Sequence, residues 1–225
     1  MHSRVLQQEL LETYPDNHPD AVIARDELRL VNAVMGNHRW MVRRLRKHYQ
    51  RDWSINEIGA GDGALSLQFW HEGICEAQRL HGFDLARRPA KWPVGAAWTQ
   101  GDLFAQRLPD SEVLVANLFL HHFTDDQLHV LGTRISPKTR VILAAEPERR
   151  WIHSAVGRFF CWLAELHPIT KFDMQVSIRA GFRENELAAS LGLDAQIWHW
   201  ECQATLLGGY RLIAMRKDVS ETEPA

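Results

Sequence analysis

Three glycines at alternate positions, Gly59, Gly61 and Gly63, stand in the stretch NEIGAGDGALSLQFW at residues 56–70. A short apolar run precedes them and a helical pattern follows. Such a loop lets a ligand approach the backbone closely and turns the open amides of a helix start toward it. Amides placed this way suit a pyrophosphate, for which the glycine spacing is GxGxxG. Here the spacing is GxGxG, and Asp62 puts a carboxylate inside the loop. Glu57, at the end of the preceding strand, adds a second. Two carboxylates around the turn oppose a phosphate and favour a ligand whose near end is cationic. S-adenosylmethionine has that character: an ammonium, a sulfonium and no phosphate.

Two more acids follow at the ends of predicted strands. Asp84, in RLHGFDLA, is placed to accept both hydroxyls of a ribose, a position that serves NAD enzymes as well. Asp102, in WTQGDLF, can accept from an adenine amino group, with Leu103 beside it to cover the ring. The order of these acids, each closing a strand, is more specific than the glycines alone. Three further residues suit proton transfer. His121 and His122 follow the fourth predicted strand in NLFLHHF, and an imidazole titrates near neutral pH. Their structural alternative is loop capping and packing under Phe123. Glu146, in AAEPERRW, ends the fifth strand and either orients a substrate hydroxyl or pairs with Arg149. His153 and Arg179 are secondary candidates.

Each of these residues must be delivered by an element. Residues 1–52 read as a helical cap, with Val22, Ile23, Leu30, Val34, Met41 and Leu45 at helical spacing and Gly36 dividing the run. Arg39, Arg43, Arg44, Arg46 and Lys47 make its second half basic, which reads as a solvated face. From residue 53 to 216, short apolar runs alternate with helical ones. Strands are predicted near 54–58, 79–83, 96–100, 112–117, 140–145, 196–202 and 210–216. Helices are predicted near 64–72, 87–91, 125–134 and 184–191. This alternation makes an α/β domain with a mostly parallel sheet and helices on both faces. The helix at 125 has a capping signal in Thr124 and Gln127, with Asp125 and Asp126 in its positive first turn. ATLLGG is too short for a crossover, so the last two strands form an antiparallel hairpin. The sheet is therefore six parallel strands and one antiparallel C-terminal hairpin strand.

An insertion at 147–181 departs from the alternation. Its first half, WIHSAVGRFFCWLAELHP, reads as a helix with Ile152, Val156, Phe159, Leu163 and Leu166 on one side, widened by Phe160 and Trp162. After a strand's carboxyl end it is expected to lie over the ligand crevice as a lid or substrate wall. The polar KDVSETEPA, 217–225, reads as a disordered tail.

Composition narrows the function. The 225 residues suit one domain with a small lid, and the net charge of −2 gives no general pull toward nucleic acid or anionic membrane. No apolar run approaches the about twenty residues of a membrane span. MHSRVLQQELLETYPD lacks the apolar core of a signal peptide. Cys75, Cys161 and Cys202 are far apart, form no CxxC pair and read as reduced thiols of a cytoplasmic protein, with no metal site among the motifs. The nine tryptophans are many for this length, and some are expected to line a pocket for a flat ligand.

These motifs resemble the class I S-adenosylmethionine-dependent methyltransferases, whose fold is Rossmann-like. EIGAGDG is similar to motif I, GFDLA to motif II and QGDLF to motif III. VLVANLFLHHFTDDQL resembles the fourth strand and its loop, and GFRENELAASLGL the helix before the terminal hairpin. The resemblance spans roughly residues 30–216 and is nearest the small-molecule subgroup, which includes quinone- and polyketide-tailoring enzymes. It implies that Glu57, Gly59 and Gly61 approach the methionine part of the cofactor. It assigns Asp84, with Leu85 beside it, to the ribose, and Asp102 and Leu103 to the adenine. Asn117 and Leu118 would border the methionine and sulfonium, and Arg39 would meet the cofactor carboxylate. Arg183 departs from the Thr or Ser cap that many relatives carry. NLFL in place of an N-P-P-Y loop argues against base amino groups as acceptors, and the absence of a cysteine there argues against pyrimidine C5. A small, partly hydrophobic acceptor remains, with O-methylation ahead of C-methylation. A non-catalytic cofactor-binding scaffold, a protein-substrate methyltransferase and an NAD-type oxidoreductase are the rival classes.

Overall fold

The computed structural model describes residues 3–15, 18–155, 157 and 165–217. Seven strands form one sheet: β1 (Ile55–Ile58), β2 (Leu80–Asp84), β3 (Ala97–Gln100), β4 (Val113–Asn117), β5 (Val141–Pro147), β6 (Trp198–Ala204) and β7 (Gly209–Arg216). Their order is β3-β2-β1-β4-β5-β7-β6. β7 lies antiparallel between β5 and β6, and the other pairs are parallel. This is the six-plus-one sheet expected from the alternating pattern and the short final connection. Strand order reverses between β1 and β4, which opens a crevice at their carboxyl ends.

Six helices have defined bounds: α1 (Pro19–Met35), α2 (Asn37–His48), α3 (Ala64–His71), α4 (Asp125–Thr133), α5 (Pro168–Ala180) and α6 (Glu186–Ser190). Successive strand residues point to opposite faces, so the apolar runs build two cores. Ile55, Val113, Val115 and Leu143 pack with Met41, Leu45, Leu65 and Phe69 on one face. Ile58, Leu114, Ala116 and Ile142 pack with Leu128, Leu131, Leu187 and Leu191 on the other. Among the described residues, no helix is long and apolar enough to cross a membrane.

Several local expectations change. No helix forms at 87–91. Pro89 removes a backbone donor there, Pro93 follows the segment, and Trp92 turns inward against Gly63 and Gly82. Its ring meets Trp98 edge-on at 4.9 Å. The sixth strand begins at Trp198 rather than 196, because Asp194 holds a turn through Gln196 N at 2.7 Å. In α1 the apolar residues Val22, Ile23, Leu30 and Val34 are exposed and only Ala21 and Ala24 are buried, whereas Met41 and Leu45 of α2 enter the core. Gly36 does divide the two helices, at φ +66°. Residues 151–155 are helical, but Val156, Phe159, Phe160, Cys161, Trp162 and Leu163 of the expected lid face lie outside the described residues, as does the tail from 218. α5, in the second half of the insertion, has no counterpart among the predicted helices.

The helix starts show how sequence dictates local geometry. At α4 the Thr124 hydroxyl accepts from Gln127 N at 3.2 Å and Gln127 Oε1 accepts from Thr124 N at 2.9 Å, a complete capping box. Thr124→Ala is expected to cost about 1 kcal/mol, read as a lower urea midpoint with an unchanged slope. At Arg183, where a hydroxyl cap is missing, the Glu186 carboxylate accepts from the Arg183 amide at 2.9 Å.

Candidate active site

The glycine loop takes left-handed backbone at all three positions, with φ +66°, +56° and +74°. Gly59 and Ala60 donate to the Phe83 carbonyl at 2.8 and 3.1 Å, which fastens the loop to β2. A side chain at Gly59 would collide with the Phe119 ring, 2.1 Å from its first carbon. Asp84 braces the loop from behind: one oxygen accepts from Gly61 N and the other from Ala86 N, each at 2.7 Å. Asp62 accepts from Ala64 N at 3.1 Å and pairs with Arg29 of α1 at 2.8 Å. Arg29 thus counters one of the two loop carboxylates.

Glu57 is the other, and no cation pairs with it among the described residues. It is buried, and Ser66 donates to it from both its amide, at 3.1 Å, and its hydroxyl, at 2.5 Å. Burial pushes its carboxyl up to about 8, against the pull of the Ser66 hydrogen bonds, and the nearby Asp62 and Asp84 add to the rise.

A cleft of about 470 Å³ opens at this end of β1 and β4. Arg39, Glu57, Gly59, Gly61 and Asn117 of the sequence-predicted set line it. α1 and α2 add Asn32 and His38, which the motifs did not reveal because nothing local ties those helices to the sheet end. His38 Nε2 lies 2.8 Å from Asn32 Nδ2 and 3.5 Å from Asn117 Nδ2. Burial lowers the His38 pKa, with Asp62 opposing. The side-chain oxygens of Asn32 and Asn117 are buried without hydrogen-bond partners.

Other predicted residues lie apart from this cleft. Leu85 is exposed, Asp102 accepts from Phe104 N at 2.8 Å, and Leu103 is buried in the core. Leu118 follows β4 with a left-handed φ of +52° and donates to Ala145 O at 2.7 Å, a strained turn for a residue with a side chain.

Beyond Phe119 lies a second cleft of about 420 Å³, lined by Glu9, Glu12, His121, His122 and Phe123 among others. Phe119 and Phe123 meet edge-on at 5.0 Å between the two clefts. Glu146 does not pair with Arg149. It accepts from the amides of Phe119, Leu120 and His121 at 3.1, 2.9 and 3.4 Å and lies 2.7 Å from His121 Nδ1. Arg149 instead grips Glu186. Burial opposes a charge on His121, but Glu146 and Glu9 outweigh it and raise its pKa. Burial, then the charge of His121, lowers that of His122. His153 pairs with Glu148 at 3.3 Å and Arg179 donates to Gln175 O at 3.1 Å; neither lines these clefts.

No family model and no curated protein sequence matches the chain. Solved structures match its fold. The plantazolicin methyltransferase BpumL, in complex with a pentazolic desmethylPZN analog and SAH, aligns with a TM-score of 0.69 at 10% identity, over 92% of this chain and 93% of its own. Human N-acetylserotonin methyltransferase in complex with SAM aligns with a TM-score of 0.57 at 16% identity, over 94% of this chain and 63% of its own. The pyocyanin biosynthetic protein PhzM gives 0.57 at 14% identity, over 93% and 62%. The chain has the Rossmann-like methyltransferase fold, with its glycine loop and both clefts at the carboxyl ends of the parallel strands.

Proposed function

We propose that this chain transfers a methyl group from S-adenosylmethionine to a small, partly hydrophobic acceptor. The observation that carries the reading is the wall of the first cleft. A buried carboxylate, Glu57, and two buried oxygens without partners, on Asn32 and Asn117, face a space at the β1–β4 switch point. Such a wall suits an ammonium donor and disfavours a phosphate. Binding of SAH by BpumL and of SAM by the human enzyme supports the same reading.

In this proposal Glu57, Asn117 and the backbone of Gly59 and Gly61 hold the methionine part, and Arg39 meets its carboxylate. Leu118 borders the sulfonium. Asp84, with Leu85, takes the ribose. Its two oxygens already accept one amide each and retain lone pairs for hydroxyls. Asp102 serves the adenine, with Leu103, buried in the core, supporting that loop from beneath. Methyl transfer is then an in-line displacement: the acceptor's nucleophile bonds to the methyl carbon, the sulfur–carbon bond breaks, and S-adenosylhomocysteine leaves. Alignment and exclusion of water supply much of the acceleration. The acceptor enters from the second cleft and must reach past the Phe119 and Phe123 rings to meet the methyl; its proton passes to His122, with His121 behind it and Glu146 orienting the His121 ring. O-methylation is the favoured outcome, with C-methylation next.

S-adenosylhomocysteine is expected to raise the unfolding midpoint while NAD does not. Asp84→Ala should weaken its binding by about tenfold, the loss of one charge-assisted hydrogen bond. Calorimetry checks this; undiminished affinity would remove Asp84 from the cofactor site.

A further inference from the structure

A metal site needs ligand atoms that converge while their other hydrogen-bonding atoms are already committed. Glu9, His121 and His122 meet the first condition, and His121, whose other nitrogen is engaged by Glu146, meets the second. One ligand atom from each lies within 4.8 Å of the other two. His121 is 3% exposed, and its Nε2 has no hydrogen-bond partner. Glu9 Oε1 faces that nitrogen at 3.5 Å. Ligands about 2.1 Å from a tetrahedral zinc ion stand roughly 3.4 Å apart. The pair is therefore already spaced as two ligands of one ion.

The supporting shell is also in place. Nδ1 of His121 is 2.7 Å from Glu146 Oε2, so it is the donor there, and a metal ion would displace the proton that the two carboxylates favour on Nε2. Glu146 is fully buried and held by three backbone amides, which fixes the ring. The Ser177 hydroxyl donates to Glu9. The segment carrying Glu9 is tied down on both sides: Leu10 and Leu11 amides donate to Asp173 at 2.6 and 3.0 Å, and Val5 N to Arg179 O at 3.1 Å. His122 is less buried and lies 3.3 Å from Glu12, a further carboxylate beside the cleft.

We propose that Glu9, His121 and His122 bind one divalent transition-metal ion of the zinc class, with coordination positions open to the second cleft. Two imidazoles and one carboxylate favour such an ion over magnesium or calcium, which prefer all-oxygen ligands. The site stands on its own geometry and does not rest on the methyl-donor reading. Where both hold, an acceptor hydroxyl on the open position loses its proton more readily.

Calorimetric titration of the full chain with zinc, with no nucleoside present, tests this. One site per chain is expected. Glu9→Gln and His122→Ala should each weaken it by at least about tenfold, the lower end of what losing a supporting contact costs a metal site. His18→Gln, in a separate pair with Asp20, should leave it unchanged. Cobalt in place of zinc should give visible d–d bands without strong thiolate bands in the near ultraviolet. Thiolate bands would put the metal on a cysteine and overturn the proposal. So would the absence of a stoichiometric site, or zinc affinity that survives both substitutions. Should Glu9→Gln fail to fold, His122→Ala, at the more exposed ring, decides alone. Because no cofactor enters the titration, its failure is separate from failure of S-adenosylhomocysteine binding.

Discussion

Glu57→Gln is expected to weaken S-adenosylmethionine binding by about 10- to 100-fold at pH near 8, the range for a hydrogen bond to a charged group. It should also raise the unfolding midpoint of the ligand-free chain at that pH. One buried charge causes both effects, with opposite signs. The Glu57 carboxyl ionises from 4.5 in the unfolded chain and from about 8 in the folded one, because burial penalises the carboxylate more than Ser66 rewards it. Between those values the folded chain holds a proton that the unfolded chain has released. The stability this contributes is complete below 4.5 and is lost as pH rises through about 8. Glutamine keeps an oxygen for the Ser66 amide and hydroxyl but has nothing to ionise, so the variant escapes the loss. The cationic ligand, by contrast, needs the carboxylate. Affinity of the unaltered chain should therefore climb with pH through the neutral range, with release of a proton on binding. Calorimetry in two buffers of different ionisation enthalpy counts that proton. A flat pH profile in the unaltered chain would exclude Glu57 from contact with a cation.

Arg149→Met is expected to cost about 1.5–3 kcal/mol of stability, the range for losing hydrogen bonds made by a charged group, and less than a fully buried ion pair because the Glu186 side chain is 37% exposed. The Arg149 side chain is 1% exposed. It donates to Gly181 O at 2.7 Å and to both oxygens of Glu186, at 2.9 and 2.5 Å. Its backbone amide donates to Phe182 O at 3.1 Å, and Phe182 N donates to Pro147 O at 3.0 Å. The residue therefore fastens the end of β5 to the return of the insertion and to the first turn of α6. Methionine fills much of the volume but leaves the Gly181 carbonyl without its donor, while the Glu186 carboxylate keeps the Arg183 amide and solvent. In a chain of this size the loss should lower the unfolding midpoint by roughly 5 to 10 °C. Adding Glu186→Gln should change little further, since solvent and the Arg183 amide already serve that side chain. A midpoint within a degree or two of the unaltered chain would show that solvent replaces Arg149 at no cost.

The sheet was legible in the sequence because its signals are local. Apolar runs such as VLVAN and VILAA can be buried on both faces only in a parallel sheet covered by helices, and ATLLGG is too short for anything but a hairpin. The capping box at Thr124 needs only residues within one turn. The glycine loop was legible for the same reason: Gly59 must be glycine for its own backbone and for the ring above it. α1 misled, since its valines and leucine have helical spacing but stay exposed. Spacing specifies a helix and says nothing of what the rest of the chain brings against it. The helix at 87–91 failed where a proline and an inward tryptophan outweighed a short run.

What the sequence determined by itself is the order of elements and the side chains at the strand ends. What only the tertiary structure decided is which of those side chains meet. Arg29 reaches Asp62, so of the two loop carboxylates Glu57 is the one without a cation among the described residues. Asn32 and His38 arrive beside Asn117 from helices that precede the sheet. Glu9 faces His121, and Glu146 turns to His121 rather than to Arg149. A carboxylate in a sequence has no mark for its partner. Charge, burial and hydrogen bonds act through space over a few ångströms, and the distances between residues far apart in the chain exist only once the two faces of the sheet have been covered.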